Sequence, residues 1–588
     1  MSAAAPIHVE RDLLVAMRDG VRLATDVFRP AGGGPWPVLL KRTPYGKKQA
    51  ALMAAESIAD LVDHGYAVVV QDVRGRANSE GCWVPFAAER DDGYDTVAWA
   101  AAQPWSSGRV GMFGISYLGL TQLLAAASRP PALGAIVPAN APSDLHRTWV
   151  YAAPGVLDLL LSVGWTAATA ADTARRRGIH DARLAQIELA LGHLLGALRQ
   201  GPDAARLASD RLLVALDPLF RPPLARTASD LETLAPWLGT WLEHPASDAY
   251  WAALAPATYY GQMATPALHV SGWYDPFVRG VIANYLGLRE QAATSRARAG
   301  QRLIIGPWFH GGLDPCPPHQ VGEVDFGPGA DVDLPDLQRR WFDAWLRDVD
   351  SGAQDEAPVR LFVMGDNRWR DEQAWPLART TWRRLYLHSQ GHANTLAGDG
   401  QLSFQLPAAT QPADHFAFDP ADPLPTLGGA VLPGAVLAGP FDQRPIEHRP
   451  DVLVYTSAPL GAALEVTGPV SAELWASSTA PDPDFTARLV DVAPDGRALN
   501  VCEGVVRAAF RDGALAPLTP GATCALHIEL GPTSLVFQPG HRIRLDVSSS
   551  SYPHYPPSPR AAHQTICHTA QHPSHLLLPC IPRGAHAG

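Results

Sequence analysis

Lysine is almost absent from this chain: Lys41, Lys47 and Lys48 are the only three among 588 residues. Acidic side chains outnumber basic ones 58 to 47, the net charge is −11, and no basic stripe is visible, which excludes a nucleic-acid footprint. Cysteine is sparse too. The six residues Cys82, Cys316, Cys502, Cys524, Cys567 and Cys580 are scattered with no CxxC pair, so there is no dense disulfide framework. They read as ordinary buried thiols, with a Cys502–Cys524 bridge left open. No basic start followed by an apolar core opens the sequence, and the most apolar long window, 149–170, is interrupted by Pro154, Gly155, Asp158 and Gly164. The chain also lacks a fixed-period repeat and a long low-complexity tract. These absences lead us to expect a soluble, cytoplasmic protein with no nucleic-acid or membrane partner.

What is present is apolar bulk. With 47% hydrophobic and 18% charged residues, the chain can bury large cores, and its length fits roughly three domains. Apolar β-type runs at 38–41, 66–71, 109–113 and 135–138 alternate with helical stretches, the pattern of a mainly parallel sheet covered by helices. From about 145 to 243 the β signals stop, and segments such as 183–199 repeat Leu, Ile and Ala at three- and four-residue intervals. That region reads as a helical cap inserted into the core. The α/β pattern resumes at 266–271 and 302–306 and closes with a helix at 337–349. Beyond 353, short runs at 359–364, 384–387, 472–477, 486–492, 524–529 and 542–548 predict a β-sandwich or jelly roll. The expected units are therefore core at 1–145 and 248–352, cap at 146–247 and sandwich at 353–588.

One segment carries chemistry. The run 108–113 leads into Gly114-Ile-Ser116-Tyr117-Leu-Gly119 and then a helical stretch at 120–128. A nucleophile on a sharp strand-to-helix turn needs small neighbours, and the helix amino terminus beneath it favours developing negative charge. The spacing is Gly-x-Ser-x-x-Gly, one position longer than the usual elbow. A serine nucleophile needs a base and the base needs an orienting carboxylate. Downstream, in the order Ser, Asp, His, come Asp275 in Gly272-Trp-Tyr-Asp-Pro-Phe277 and His310 in Gly306-Pro-Trp-Phe-His-Gly311, each just past a predicted strand.

The stretches RTPYGK (42–47), QDVRGRANSEG (71–81), DDGYDTVAWAAAQPW (91–105), GRVGMFGISYLG (108–119), SGWYDPF (271–277), GPWFHG (306–311), FDPADPLPTLGG (418–429), RPDVLVYTSAPL (449–460) and QPGHRIRLDVSSSSYP (538–553) occur in order along nearly the whole chain. Together they resemble the cocaine esterase-like branch of the X-Pro dipeptidyl-peptidase (S15) family, which also holds the α-amino-acid ester hydrolases. The resemblance implies an α/β-hydrolase core with an inserted helical cap and a carboxy-terminal jelly roll. It also implies a serine carboxylesterase working through an acyl-enzyme, with an amidase, peptidase, amino-acid ester hydrolase or acyltransferase as the alternative. Ser116 would be the nucleophile, His310 the base and Asp275 its orienter. The oxyanion would be held by the Tyr117 N–H and the Tyr45 hydroxyl. No cofactor or metal is required, and homodimers are plausible on the same resemblance.

Candidate walls for an apolar acyl pocket are Phe277, Trp308, Trp149 and Trp165. The run Asp91-Asp92-Gly-Tyr-Asp95 reads as helix capping and solvated surface. Cys567, His568, His572 and His575 stand at spacings similar to those of zinc ligands, but strand alternation would point them to opposite faces, so no metal site is expected there. SSSSYPHYPPSPR (548–560) departs from the family's usual loop, and no acidic cluster for a substrate ammonium is evident, which favours neutral acyl esters.

Overall fold

The computed structural model describes residues 6–53, 55–198, 200–311 and 319–582. Cys316 lies outside the described residues. The core is a ten-stranded sheet of β1 (Ile7–Ala16), β2 (Arg22–Pro30), β3 (Trp36–Thr43), β4 (Ala67–Asp72), β5 (Ser106–Ile115), β6 (Leu133–Ala139), β7 (Ala267–Tyr274), β8 (Gln301–Phe309), β9 (Val359–Val363) and β10 (Arg368–Glu372). Its spatial order is β1-β2-β4-β3-β5-β6-β7-β8-β9-β10. From β4 to β9 every pairing is parallel, while β2 and β10 run against their neighbours. All six residues of β4 and all eight of β7 are buried, as a sheet with helices on both faces requires.

Between β6 and β7 the chain leaves the core to form the helices Trp165–Arg176, Ala182–Ala197, Pro202–Phe220, Leu224–Leu231 and Trp237–Glu243. Helix Ala182–Ala197 buries Leu184, Ile187, Ala190, Leu194 and Ala197, a three- and four-residue period that gives it one apolar stripe. Among the described residues no helix is long and apolar enough to cross a membrane.

The carboxy-terminal part is a β-sandwich of eleven strands, with Leu464–Ser478 paired to Cys524–Phe537 along most of its length. The strand read in sequence as the sandwich's first, 359–364, joins the core instead. Val359–Val363 is β9, hydrogen-bonded in parallel to β8 through Leu303, Ile304 and Ile305. An apolar run carries no information about which sheet will accept its edge. The thiols of Cys82, Cys502, Cys524, Cys567 and Cys580 are all unpaired, so Cys502 and Cys524 form no bridge. His568 is fully buried against Asp414 at 2.8 Å, and Trp475 packs on His572. Among the described residues no group of three potential metal ligands assembles.

Cap and sandwich meet at one buried charge cluster. His554, in the unusual loop 548–560, bonds through Nδ1 to Glu503 at 2.9 Å and through Nε2 to cap residue Asp158 at 3.2 Å, while Arg488 closes on the other Glu503 oxygen at 2.8 Å. Burial disfavours the imidazolium, but the two carboxylates outweigh it and lift His554 to about 9. Tyr552 of the same loop donates to Asp217 of the cap at 2.7 Å.

Because His554 is raised above its unfolded value of about 6.5, its stabilisation is complete below that pH and is lost as pH rises through about 9. Thermal melts should therefore show Tm falling between pH 6.5 and 9. His554→Gln should lower Tm at pH 6 and remove that slope, and an unchanged slope in the variant would refute the assignment.

Candidate active site

The elbow begins with buried residues Val110–Phe113 of β5 and turns at Ser116, which sits at φ 65°, ψ −124°. A serine in that region carries about 1–3 kcal/mol of backbone strain unless the surroundings hold it there. They do. Ser116 N–H donates to Ala139 at 2.9 Å, and the Ser116 carbonyl accepts from Leu120 at 2.9 Å as the helix Tyr117–Ala127 begins. Buried Gln122 donates to the carbonyls of Gly114 and Leu118 and accepts from the Val137 N–H, binding the turn to β6.

The glycine spacing now has its reason. Gly114 adopts φ +140°, and a Cβ there would lie 2.7 Å from Leu118 Cβ. A Cβ on Gly119 would lie 2.8 Å from both the Ala139 carbonyl and Ala141 Cβ. The close approach to β6 falls at position 119, so position 118 is free to carry leucine and the motif is one residue longer.

Ser116, Asp275 and His310 stand just past the carboxy ends of β5, β7 and β8, the side of an open α/β sheet where ligands bind. β7 and β8 approach so closely that a Cβ on Gly272 would lie 2.1 Å from the Trp308 carbonyl oxygen. Asp275 is fully buried. One oxygen accepts from the Phe277 N–H at 2.6 Å and the other pairs with His310 Nδ1 at 3.2 Å. That bond leaves Nε2 as the ring nitrogen available for proton transfer. The His310 side chain is 11% exposed, and its ring stands edge-on to Phe277 at 5.1 Å.

Tyr45 follows β3. Although 44% of the residue is exposed, its hydroxyl is the end packed into the protein, where it accepts from Trp165 Nε1 at 3.1 Å. Burial raises this phenol above its ordinary value, against the opposing pull of Trp165, Arg76 and Ser116, so it stays protonated. Indole N–H only donates, so Tyr45 must accept from Trp165, and that bond does not use the phenol's own proton.

Tyr117 contributes through its backbone. Its N–H lies in the first helical turn, where no intrahelical acceptor exists. Its side chain points away into a buried network, donating to Glu89 at 2.8 Å and accepting from Phe86 N at 3.0 Å and Trp83 Nε1 at 3.3 Å. Glu89 is buried and its pKa raised by burial, but Arg42 at 2.6 Å opposes that shift.

The wall over the site is aromatic. Trp149 stacks on Phe277 at 5.0 Å and meets Trp165 edge-on at 5.1 Å, and Phe86, Trp83 and Trp241 extend the cluster. Of the four predicted wall residues, Trp149, Trp165 and Phe277 come together here and Trp308 does not. Trp308 is buried against Trp369 at 5.6 Å, in the core that includes Trp341 and Trp345. Adjacency to His310 in sequence did not carry its ring to the same side.

The acidic run 91–95 is also corrected. Asp91 is exposed, but Asp92 is buried and paired with Arg74 at 2.6 Å, and no side chain caps this helix. Sequence reading also missed Glu89, Arg76, Trp83 and Phe86. Arg76 and Trp83 follow Gly75 and Gly81 within two residues, a cue to a structured turn but not to its partners.

Two family models match the chain: X-Pro dipeptidyl-peptidase (S15 family) over residues 19–312, and the X-Pro dipeptidyl-peptidase C-terminal non-catalytic domain over 351–577. The cocaine esterase of Rhodococcus sp. (strain MB1 Bresler) is 38% identical over 601 aligned residues, covering 98% of this chain and 99% of that protein. Among solved structures, an α-amino acid ester hydrolase is similar with a TM-score of 0.78 at 26% identity, covering 99% of this chain and 97% of the other. An aminopeptidase from a marine sediment archaeon, Thaumarchaeota archaeon, gives 0.80 at 25%, covering 99% and 98%.

The network beneath the elbow makes a measurable claim. Tyr117→Phe keeps the backbone N–H but leaves the Phe86 and Trp83 donors unmatched, so urea unfolding should show a loss of about 1–3 kcal/mol. A variant as stable as the parent would mean that these bonds do not hold the turn.

Proposed function

The chain belongs to the X-Pro dipeptidyl-peptidase (S15) family, and from that premise we propose that this serine hydrolase cleaves carboxylic esters of small neutral molecules through an acyl-enzyme on Ser116. His310 Nε2 takes the Ser116 proton as Oγ attacks the acyl carbon, and Asp275 on Nδ1 holds the tautomer and stabilises the imidazolium. The oxyanion forms between the Tyr117 N–H and the Tyr45 hydroxyl, two donors fixed before the charge develops. Collapse expels the alcohol, which receives the proton from His310. Water, activated by the same imidazole, then releases the acid.

The observation that carries the preference for neutral esters is the state of the carboxylates around the site. Glu89 is engaged by Arg42 and Tyr117, Asp158 by His554, Asp172 by Arg76 and Arg175, and Asp144 by the His146 N–H. Glu89, Asp158 and Asp172 are thus paired with cationic side chains, Asp144 accepts a single backbone N–H, and the rings gathered beside His310 are Phe277, Trp149 and Trp165. The unpaired state of the five described cysteines supports a reducing, cytoplasmic setting for this activity.

A chromogenic panel tests the reading: a short acyl ester, an aromatic acyl ester, an amino-acyl ester and an X-Pro anilide. The two neutral esters should be turned over best, and Ser116→Ala should abolish turnover of every substrate. Tyr45→Phe should lower kcat about 100–1,000-fold, the usual cost of one oxyanion donor. Preference for the free-amino substrates would replace the ester reading with the amino-acyl or peptidase alternative. Turnover that survives Ser116→Ala would overturn the mechanism.

A further inference from the structure

Arg76 is a buried arginine that the triad chemistry does not use. Its Nε donates to the Pro44 carbonyl at 2.8 Å, one residue before Tyr45. Its Nη1 donates to the Thr169 carbonyl at 3.0 Å and to Thr173 Oγ1 at 3.3 Å, and Nη2 pairs with Asp172 at 3.4 Å. Those three residues lie on helix Trp165–Arg176, whose first residue donates its indole N–H to the Tyr45 hydroxyl. Trp165, Thr169, Asp172 and Thr173 are spaced by four, seven and eight residues, so they share one helix face. The guanidinium plane also lies 4.3 Å over the Trp83 ring, which in turn packs on Trp165 at 5.5 Å.

These contacts close a ring: Arg76, Pro44, Tyr45, Trp165, the following turns of the cap helix, and Arg76 again. Tyr45 is gripped at both ends, at its backbone by the core and at its hydroxyl by the cap. One rigid fork bonds both the Pro44 carbonyl and the helix that carries Trp165, which a point charge on a flexible stem cannot do. We propose that Arg76 is a positioning residue for the oxyanion hole, tying the Tyr45 loop to cap helix Trp165–Arg176 so that the Tyr45 hydroxyl is aimed at the reacting carbonyl only while the cap is seated. This rests on the reading of Tyr45 as an oxyanion donor. The consequence for specificity is direct: whatever shifts the cap on substrate binding shifts the donor with it.

A double-mutant cycle tests this on the full chain, with the neutral chromogenic ester that the parent turns over best. Arg76→Lys keeps the charge and loses the fork, and should lower kcat about tenfold while KM changes less than about threefold. In the Tyr45→Phe background the same change should cost less than about twofold, because the group it positions is gone. Equal losses in both backgrounds, or none in either, overturn the proposal, since a residue that merely supports the fold would not distinguish them. Asp172→Asn, which removes the ion pairs to Arg76 and Arg175 but leaves the fork's bonds to Pro44 and Thr169, should show the same coupling at about two- to threefold and serves if Arg76→Lys fails to fold. If Tyr45→Phe alone costs less than about fivefold, the oxyanion reading of Tyr45 itself falls and this proposal with it; failure of the proposal alone leaves the Tyr45→Phe loss intact.

Discussion

The backbone at Ser116 is held where a serine does not rest by choice, and much of the surrounding structure exists to hold it. β5 delivers the residue, Gly114 supplies the left-handed entry, and Gly119 lets the helix pass against the end of β6. Gln122, fully buried, binds both sides of the turn with its amide. The Tyr117 side chain anchors the first helical turn from below, and its phenol is held by Glu89, whose charge is in turn held by Arg42 on β3. Strain stored at a turn is kept only while neighbouring interactions over-determine it. Here a salt bridge between two buried side chains provides that. Its net worth to stability is small, but removing either partner would strand a charge beneath the Ser116 turn.

Above that turn, the site is made by parts of the chain far apart in sequence. Tyr45 comes from the end of β3, His310 and Asp275 from the ends of β8 and β7, and the aromatic cluster largely from the cap. Trp149 joins these sources, stacking on Phe277 beside the triad and meeting Trp165 edge-on. Trp165 in turn gives its only polar hydrogen to Tyr45. The apolar wall and the polar donor are thus not independent features: a single indole packs in the first and orients the second.

The catalytic candidates were legible because they sit where local signals are strong, on glycine-flanked strand ends in a definite order. Partnerships across the fold were not. Asp92 looked solvated because Arg74 and Arg42, which bury it, precede it by 18 and 50 residues, and nothing in DDGYD announces them. Trp308 looked like a wall residue because it is two positions from His310, yet β8 shifts register between Gly306 and Phe309, and such an irregularity cannot be read from a hydrophobic pattern. Segment 359–363 was legible as a strand but not as a core strand, since alternation gives a face and not a neighbour. The Gly-x-Ser-x-x-Gly spacing was visible from the outset, and only the position of Ala139 and Ala141 explained it.

Among the described residues the sandwich supplies none of the candidate catalytic side chains, yet it lies against the loop that carries Asp275. A cavity of about 80 Å3 behind the triad is lined by Trp149 and Asp275 on one side and by Glu503, Gly504, Pro532 and His554 of the sandwich on the other. Its volume holds a few waters and no ester substrate of ordinary size. Its role is read from its walls: the sandwich is the surface against which the Asp275 loop and the start of the cap are seated. His554 makes the seating directional, because an imidazolium between Asp158 and Glu503 is satisfied in one alignment of cap and sandwich, and the Leu159 N–H donating to the His554 carbonyl at 2.9 Å repeats the constraint in the backbone. A buried charge cluster contributes registry more reliably than net stability. Cap position therefore depends on the sandwich through Asp158 and on the core through Arg76, and Trp165, on the cap helix between these contacts, transmits that position to the hydroxyl of Tyr45.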